Sequence, residues 1–219
     1  MNLSHQASPV RRGLPELTWV ASMGGPLIVV PVSALQDWGG CTEAGMVLGD
    51  TDESDDYDRA CAVDDLAGVI PIDESGTRAL VLGDEPAMTC YLPERRLLLR
   101  WLAADSDAGL LAAAERVLAD PETAWENCGV WETDGPAVLM DSAESGADLA
   151  MPYPGSSRLP EQAPVVVPAG RWRIRAFHTT GGDFPWVGVV QLVKEQGCDA
   201  TPAEPGTLTP SSESGRHDR

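Results

Sequence analysis

The sequence predicts an α+β fold, strand-rich, with mostly antiparallel meanders around one clear amphipathic helix. Two observations carry this prediction. Short apolar runs recur along the chain, each closed by a Gly, Pro or Asp cluster, which is the grammar of strands joined by tight turns. One segment instead spaces its apolar residues with the 3.6 period of a helix. Strands in meanders with one good helix set apart from them give the α+β arrangement.

Taken in order, PLIVVP at 26–31 reads as a strand, and a short helix runs from Val32 to Asp37, stopped by Gly39 and Gly40. Strands follow at GVIPI (68–72), RALVLG (78–83), MTCYL (88–92) and RLLLRWL (96–102). In DSDAGLLAAAERVLADP, Asp105 or Ser106 can cap a helix whose Leu110, Leu111, Ala114, Val117 and Leu118 share one face, and Pro121 marks its end. AVLM (137–140), PVVVP (164–168), RWRIRAF (171–177) and WVGVVQLV (186–193) complete the strands. Residues 1–16 read as a flexible lead, 17–196 as a single folded body and 197–219, rich in Pro, Ser, Thr and Gly, as a disordered tail. Trp19 precedes GGPLIVVP much as Trp131 precedes DGPAVLMD. Such echoes raise two similar halves, 17–120 and 121–196, although convergent strand-and-turn grammar gives the same echoes.

At 219 residues and 43% hydrophobic content the chain can bury a substantial core without staples. Its 34 Asp and Glu against 15 Lys and Arg give a formal charge of -19, so nucleic acid and anionic membrane surfaces are expected to be repelled. A basic protein is the kind of partner such a field attracts; solubility alone is the plain alternative. Arg11 and Arg12 are followed by no apolar run, so neither a signal peptide nor a membrane anchor is expected, and the chain is expected to be cytoplasmic. The five cysteines form no C-x-x-C pair, which favours reduced thiols, four of them packing as small hydrophobes.

The densest charge is in LGDTDESDDYDRAC, where Asp50, Asp52, Glu53, Asp55, Asp56 and Asp58 fall within nine positions. A calcium loop fails in both registers: from Asp50 the sixth and twelfth positions are Asp55 and Cys61, and from Asp52 they are Tyr57 and Val63. A solvated loop of carboxylates has no desolvation to separate two pKa values, so no acid/base pair follows. His178 is the one candidate base in the body, with no zinc spacing around it and no local support for pairing with Cys61 or Cys90. Alternation in RWRIR sends Arg171, Arg173 and Arg175 to one face, where pairing with neighbouring carboxylates is the expectation and anion binding the alternative. Most of the seven tryptophans are expected in the core. One or two exposed beside the acidic run would supply interface anchors.

Trp19 to Pro31 (W-x(4)-GGPLIVVP), Trp38-Gly39, DYDRAC at 56–61, ALVLGDEPAMTCYL at 79–92 and Arg100-Trp101 together resemble the immunity protein 21 family, predicted antidotes of bacterial polymorphic toxin systems. The later DGPAVLMDSAESG and PAGRWRIRAF extend the resemblance over most of the body. It implies cytoplasmic neutralisation of a cognate toxin protein by direct binding, with no catalysis and no cofactor. The motif positions carried over are Trp19, Gly24, Gly25, Pro26, Trp38, Tyr57, Arg59, Cys61, Gly83, Asp84, Glu85 and Pro86, and the two Gly/Pro turns among them read as scaffold. Arg59 is expected to pair with Asp84 or Glu85 and pin the acidic loop, leaving its acids to meet the partner. No metal ligands and no catalytic residues are expected on this reading. A cysteine- or carboxylate-dependent enzyme acting on an anionic substrate, and a calcium-stabilised structural module, are the alternatives.

Overall fold

The computed structural model describes residues 17–42, 54–73, 76–179, 181–182 and 184–195. Eleven strands are found among them: β1 (Trp19–Val20), β2 (Leu27–Pro31), β3 (Gly68–Pro71), β4 (Arg78–Leu82), β5 (Thr89–Leu92), β6 (Leu97–Ala103), β7 (Glu126–Thr133), β8 (Ala137–Asp141), β9 (Gln162–Val165), β10 (Gly170–His178) and β11 (Trp186–Lys194). They form two antiparallel sheets, one in the order β1-β5-β6-β11-β10-β7 and the other β3-β4-β2-β8-β9. Each sheet takes strands from both sides of residue 120. The helices are α1 (Asp56–Cys61) and α2 (Asp107–Ala119), with 3-10 turns at Val32–Asp37 and Pro93–Arg95. The strand-rich α+β prediction is therefore correct.

The sheets pack face to face over one core in which Leu27, Val29, Leu80, Leu82, Leu98, Leu139, Ile174 and Val190 meet Trp131 and Trp172. Strand alternation then decides what covers each outer face. In β2, Leu27 and Val29 point between the sheets, while Ile28 and Val30 point to a second cluster with Val81, Met140, Trp38 and Ala60 of α1. In β6, Leu97 and Leu99 point the other way, under Leu110, Ala113, Ala114 and Val117 of α2. The order is α2, six-stranded sheet, five-stranded sheet, then the 3-10 turn with α1. Central strands buried on both faces must be apolar throughout, which is why PLIVVP and RALVLG read as continuous runs. Each buried Leu, Ile or Val contributes about 1.5–3 kcal/mol.

Local chemistry explains the ends. The Ser106 hydroxyl accepts the Gly109 N–H at 3.2 Å to cap α2, and the Thr123 hydroxyl donates to the Val117 carbonyl at 2.8 Å beyond its other end. Strand β9 starts earlier than PVVVP suggests because it is an edge strand, where Pro164 needs no ladder N–H. Strand β7 has no counterpart in the pattern of apolar runs. Its ENCGVWET buries Cys128, Trp131 and Thr133, and the inward set changes parity where Gly129 takes φ +91° and the pairing with β10 slips between Arg173 and Arg175. A bulge of this kind erases the period-2 signal.

Three tryptophans are core: Trp38, Trp131 and Trp172 are fully buried, and their indole N–H groups donate to the carbonyls of Ser142, Arg78 and Pro168. Cys90 and Cys128 are buried, but Cys61 is exposed and Cys41 half-buried, so the expectation of four buried thiols fails; Cys198 lies outside the described residues. No helix among the described residues is long and apolar enough to cross a membrane.

Candidate functional site

Of the six acids singled out by sequence, Asp50, Asp52 and Glu53 lie outside the described residues, and Asp55, Asp56 and Asp58 start α1. For these three the expectation of a loop is corrected, since they cap and open a helix, although Asp58 stays exposed. Asp55 caps the helix by accepting the Asp58 N–H at 2.9 Å, and Asp58 accepts the Asp55 N–H at 3.3 Å, a reciprocal capping box. The other Asp55 oxygen accepts the Thr42 N–H at 2.8 Å. Burial alone would raise the Asp55 carboxyl, but these backbone N–H groups outweigh it and hold the pKa below the ordinary value. Asp56 accepts the Gly39 N–H at 2.7 Å and pairs with Arg59.

Arg59 does not reach Asp84 or Glu85. Besides Asp56 it donates to the carbonyls of Pro71 (2.6 Å) and Ile72 (3.3 Å), tying α1 to the end of β3. Tyr57 lies against the Gly24-Gly25-Pro26 turn so closely that a Cβ on Gly25 would stand 2.5 Å from its ring. This close approach explains a glycine there in physical terms. The Tyr57 hydroxyl is pushed up to about 12 by its hydrogen bond with Cys61 and by burial.

Beside that turn is a cleft of about 330 Å³ whose lining includes Met23, Asp141, Glu144, Tyr153, Arg158 and Glu161. Met23 is 81% exposed at its mouth. Asp141 accepts the Met23 N–H at 2.7 Å, the Tyr153 hydroxyl donates to Glu144 at 2.6 Å, and Glu161 accepts from Arg158 at 2.6 Å and from the Ala21 N–H at 3.0 Å. Burial and then Glu144 push Tyr153 up to about 12. Three carboxylates against one guanidinium give the cleft a negative field. The cleft and α1 are linked through residues 41–42: the Cys41 N–H donates to the carbonyl of Ala143, next to Glu144, at 3.0 Å, and the Thr42 N–H donates to Asp55.

A second constellation forms where Gly83–Pro86 crosses the ends of β6 and β10. Asp84 sits at φ 61°, and a Cβ on Gly83 would collide with the Asp65 carbonyl. Arg100, 1% exposed, donates to the Gly83 carbonyl (2.7 Å), to the Glu85 carbonyl and to Nε2 of His178 (3.2 Å). His178 Nδ1 is 2.9 Å from Asp84. A guanidinium can only donate, so Nε2 accepts, the ring proton is on Nδ1 and the imidazole is neutral. Burial first, then Arg100, depresses the His178 pKa against the opposing pull of Asp84. Burial also lowers Arg100 to about 10, opposed by Asp84 and Glu85. With both ring nitrogens engaged, His178 has no lone pair to offer a substrate.

Of the three arginines raised by the enzyme reading, Arg171 and Arg175 are likewise engaged, while Arg173 is exposed on the same strand. Arg171 bridges Glu195 (3.1 Å) and Glu132 (3.3 Å), and Arg175 lies 4.0 Å over the Trp125 ring and bonds Gln191. Burial raises the Cys41 and Cys61 thiols and pushes Cys90 and Cys128 up to about 12, the wrong direction for a nucleophile. Among the described residues no group of three His, Cys, Asp or Glu could hold a metal ion. Sequence reasoning named Asp84, Arg100 and His178 separately but missed that they meet; only the register of β6, β10 and β11 brings them together. Trp186, 42% exposed, stands at this corner and not beside the acidic run.

A family model described as Immunity protein 21 matches residues 18–184. Nothing matches among the curated proteins, and nothing among the solved structures.

Proposed function

The chain belongs to the immunity protein 21 family, and from that premise we propose that it neutralises a cognate toxin of a polymorphic toxin system by binding it in the cytoplasm, without catalysis. The partner surface is the acidic face formed by the run from Asp50 to Asp58 and the adjoining cleft. The observation that supports this most is the fixation of the run's C-terminal end. Asp55, Asp56 and Arg59 lock α1 beside a cleft that carries Asp141, Glu144 and Glu161. Acids held by the fold lose less side-chain freedom on binding than acids on a loose segment. A basic toxin, such as a nuclease with a cationic cleft, complements this face. Steering would set the association rate and apolar contacts such as Met23 the lifetime.

The test is growth of a host expressing the adjacent open reading frame, with and without this gene, followed by co-purification. Rescue with a stable complex supports neutralisation by binding. Toxicity with neither rescue nor complex rejects that pairing. Rescue without a complex, accompanied by chemical change in the toxin or its product, would favour an enzyme instead.

A further inference from the structure

The corner built by Asp84, Arg100 and His178 opens outward into a recess of about 340 Å³ that the acidic-face reading does not use. Its rim carries Asp84 and Glu85, and its walls include Pro86, Trp101 and Trp186. We propose that this recess is a receptor for the guanidinium of an arginine side chain presented by a basic partner protein. That the partner is the toxin rests on the proposed function; the chemistry of the recess does not.

Three features select a planar cation. The first is unspent negative charge. One Asp84 oxygen is bonded to His178, and the Glu85 carboxylate makes no hydrogen bond or ion pair with a described residue, feeling Arg100 only at longer range. Two carboxylates against one buried guanidinium leave the corner net negative, so an anion is disfavoured. An apolar group would desolvate those carboxylates without pairing them.

The second feature is the indole pair. Trp101 is half-buried and held edge-on by Trp19, with ring centroids 5.3 Å apart, so its ring is positioned before anything binds. Trp186 stands at a register shift between β11 and β6, where the strand partner changes from Ala103 to Trp101. Bulges of this kind re-aim a side chain, and here the indole is left partly open at the recess. Cations are attracted to indole faces, and a guanidinium can stack there while its edge N–H groups meet a carboxylate.

The third feature is rigidity. Arg100 is bonded to the backbone of the Gly83–Pro86 loop and His178 to Asp84, so the rim carboxylates are carried on a fixed loop. Two exposed apolar side chains lie close along the chain to the recess: Met88 (41% exposed), whose backbone carbonyl accepts the backbone N–H of Trp101 at 2.8 Å, and Phe184 (52% exposed), two residues from Trp186. A pre-formed pocket walled by indole and proline with acids at its rim suits an arginine anchor, a residue type enriched at interface hot spots.

The recess is tested by titrating the full ¹⁵N-labelled chain with N-acetyl-arginine methylamide, and in parallel with the uncharged N-acetyl-citrulline methylamide. The readout is the indole N–H signals of Trp101 and Trp186. Arginine is expected to shift both in a saturable way, citrulline not, and Glu85→Gln or Trp186→Ala to weaken arginine binding by about tenfold. Both side chains are exposed, and unchanged signals elsewhere check that the variants fold. Equal shifts with citrulline, no saturable shift, or full binding in the Glu85→Gln/Trp186→Ala double variant would overturn the proposal. Because the probe is free arginine derivative, a chain that binds no toxin still reports on the recess. A toxin complex untouched by the double variant would overturn the partner's use of the recess and leave neutralisation by the acidic face standing.

Discussion

The Arg100 guanidinium lies 3.2 Å from Nε2 of His178 and fixes which ring nitrogen carries the proton. Asp84 on the other side, at 2.9 Å from Nδ1, accepts that proton's hydrogen bond without taking it. An Asp-His pair of this kind resembles half of a catalytic triad, but the outward nitrogen of a triad histidine faces a nucleophile, whereas here it faces a buried cation. The arrangement holds a loop on two strands and presents that loop's acids to solvent.

A pH dependence with a definite sign follows. The folded-state pKa of His178 is lowered, so the unfolded chain takes up a proton near the ordinary value of about 6.5 before the folded one does. Unfolding then binds protons, and the stability this site contributes is present above that pH and lost as pH falls toward the folded pKa. The groups that act on the ring are Arg100, Asp84 and Glu126. His178→Gln keeps one donor and one acceptor without titrating. The stability gap between wild type and His178→Gln in urea unfolding should narrow from pH 8 to 5.5, by at most about 1.4 kcal/mol per pH unit. A gap that widens on acidification would place the imidazolium, not the neutral ring, in the fold.

Removing Arg100 should be among the most damaging single changes. Arg100→Leu leaves the carbonyls of Gly83 and Glu85 without this donor beneath a loop that already holds Asp84 at positive φ. The expected loss is about 3–5 kcal/mol, and Arg100→Lys should recover little of it because an ammonium cannot span three acceptors in a plane. Chemical denaturation measures both. A loss under about 1 kcal/mol would mean that water replaces the guanidinium easily.

How much was legible in the sequence depended on whether the signal was local. PLIVVP, RALVLG and the helix at 107–119 declare themselves because burial on one or both faces leaves a continuous or periodic apolar pattern. β7 hides because the Gly129 bulge swaps the parity of its inward residues. Helix α1 was missed for a different reason. Asp55 and Asp58 stand in a run of acids that reads as charge alone, although Asp-x-x-Asp at a helix start is a variant of the capping box, with Asp in the place of Glu or Gln. Arg59 is satisfied by the nearer Asp56 and by carbonyls at the end of β3, and not by Asp84 or Glu85, which are farther along the chain. The Asp84–His178 contact spans 94 residues, and no spacing rule reaches that far.

Gly25 separates backbone freedom from close packing. A methyl group there meets the Tyr57 ring at 2.5–2.9 Å, so Gly25→Ala should cost about 1–3 kcal/mol by overpacking. The loss should shrink in a Tyr57→Ala background, because the obstructing atoms are gone. A double-mutant cycle measures this coupling, and strict additivity would put the cost in the backbone instead.

The cap on α1 can be told apart from a docking charge. Asp55→Ala removes the acceptor for the N–H groups of Asp58 and Thr42 and should destabilise the fold by about 1–2 kcal/mol. Asp55→Asn keeps a side-chain oxygen and should recover most of that stability at the same loss of charge. If the two variants lose equal stability, the cap is worth little and the Asp55 charge carries the effect.

The three acids of the run that precede α1 and its cap, Asp50, Asp52 and Glu53, carry the prediction about association. Neutralising Asp55 or Asp56 would disturb α1 as well as the field, since both hold backbone N–H groups, so the informative variant is Asp50→Asn/Asp52→Asn/Glu53→Gln. With its stability checked by denaturation, its association rate with a co-purifying toxin at low salt should fall by about 3–10-fold while dissociation changes little. Added salt should slow the wild type more steeply than the variant, and the two rates should converge near 0.5 M, where the screening length is only about 4 Å. The reasoning separates rate from lifetime: long-range attraction acts before contact, and the apolar surface around Met23 acts after it. Stopped-flow association at two ionic strengths decides the matter. Equal rates at low salt would remove these acids from the docking face and shift attention to Asp141, Glu144 and Glu161 in the cleft, whereas a change confined to dissociation would make them direct contacts and not steering charges.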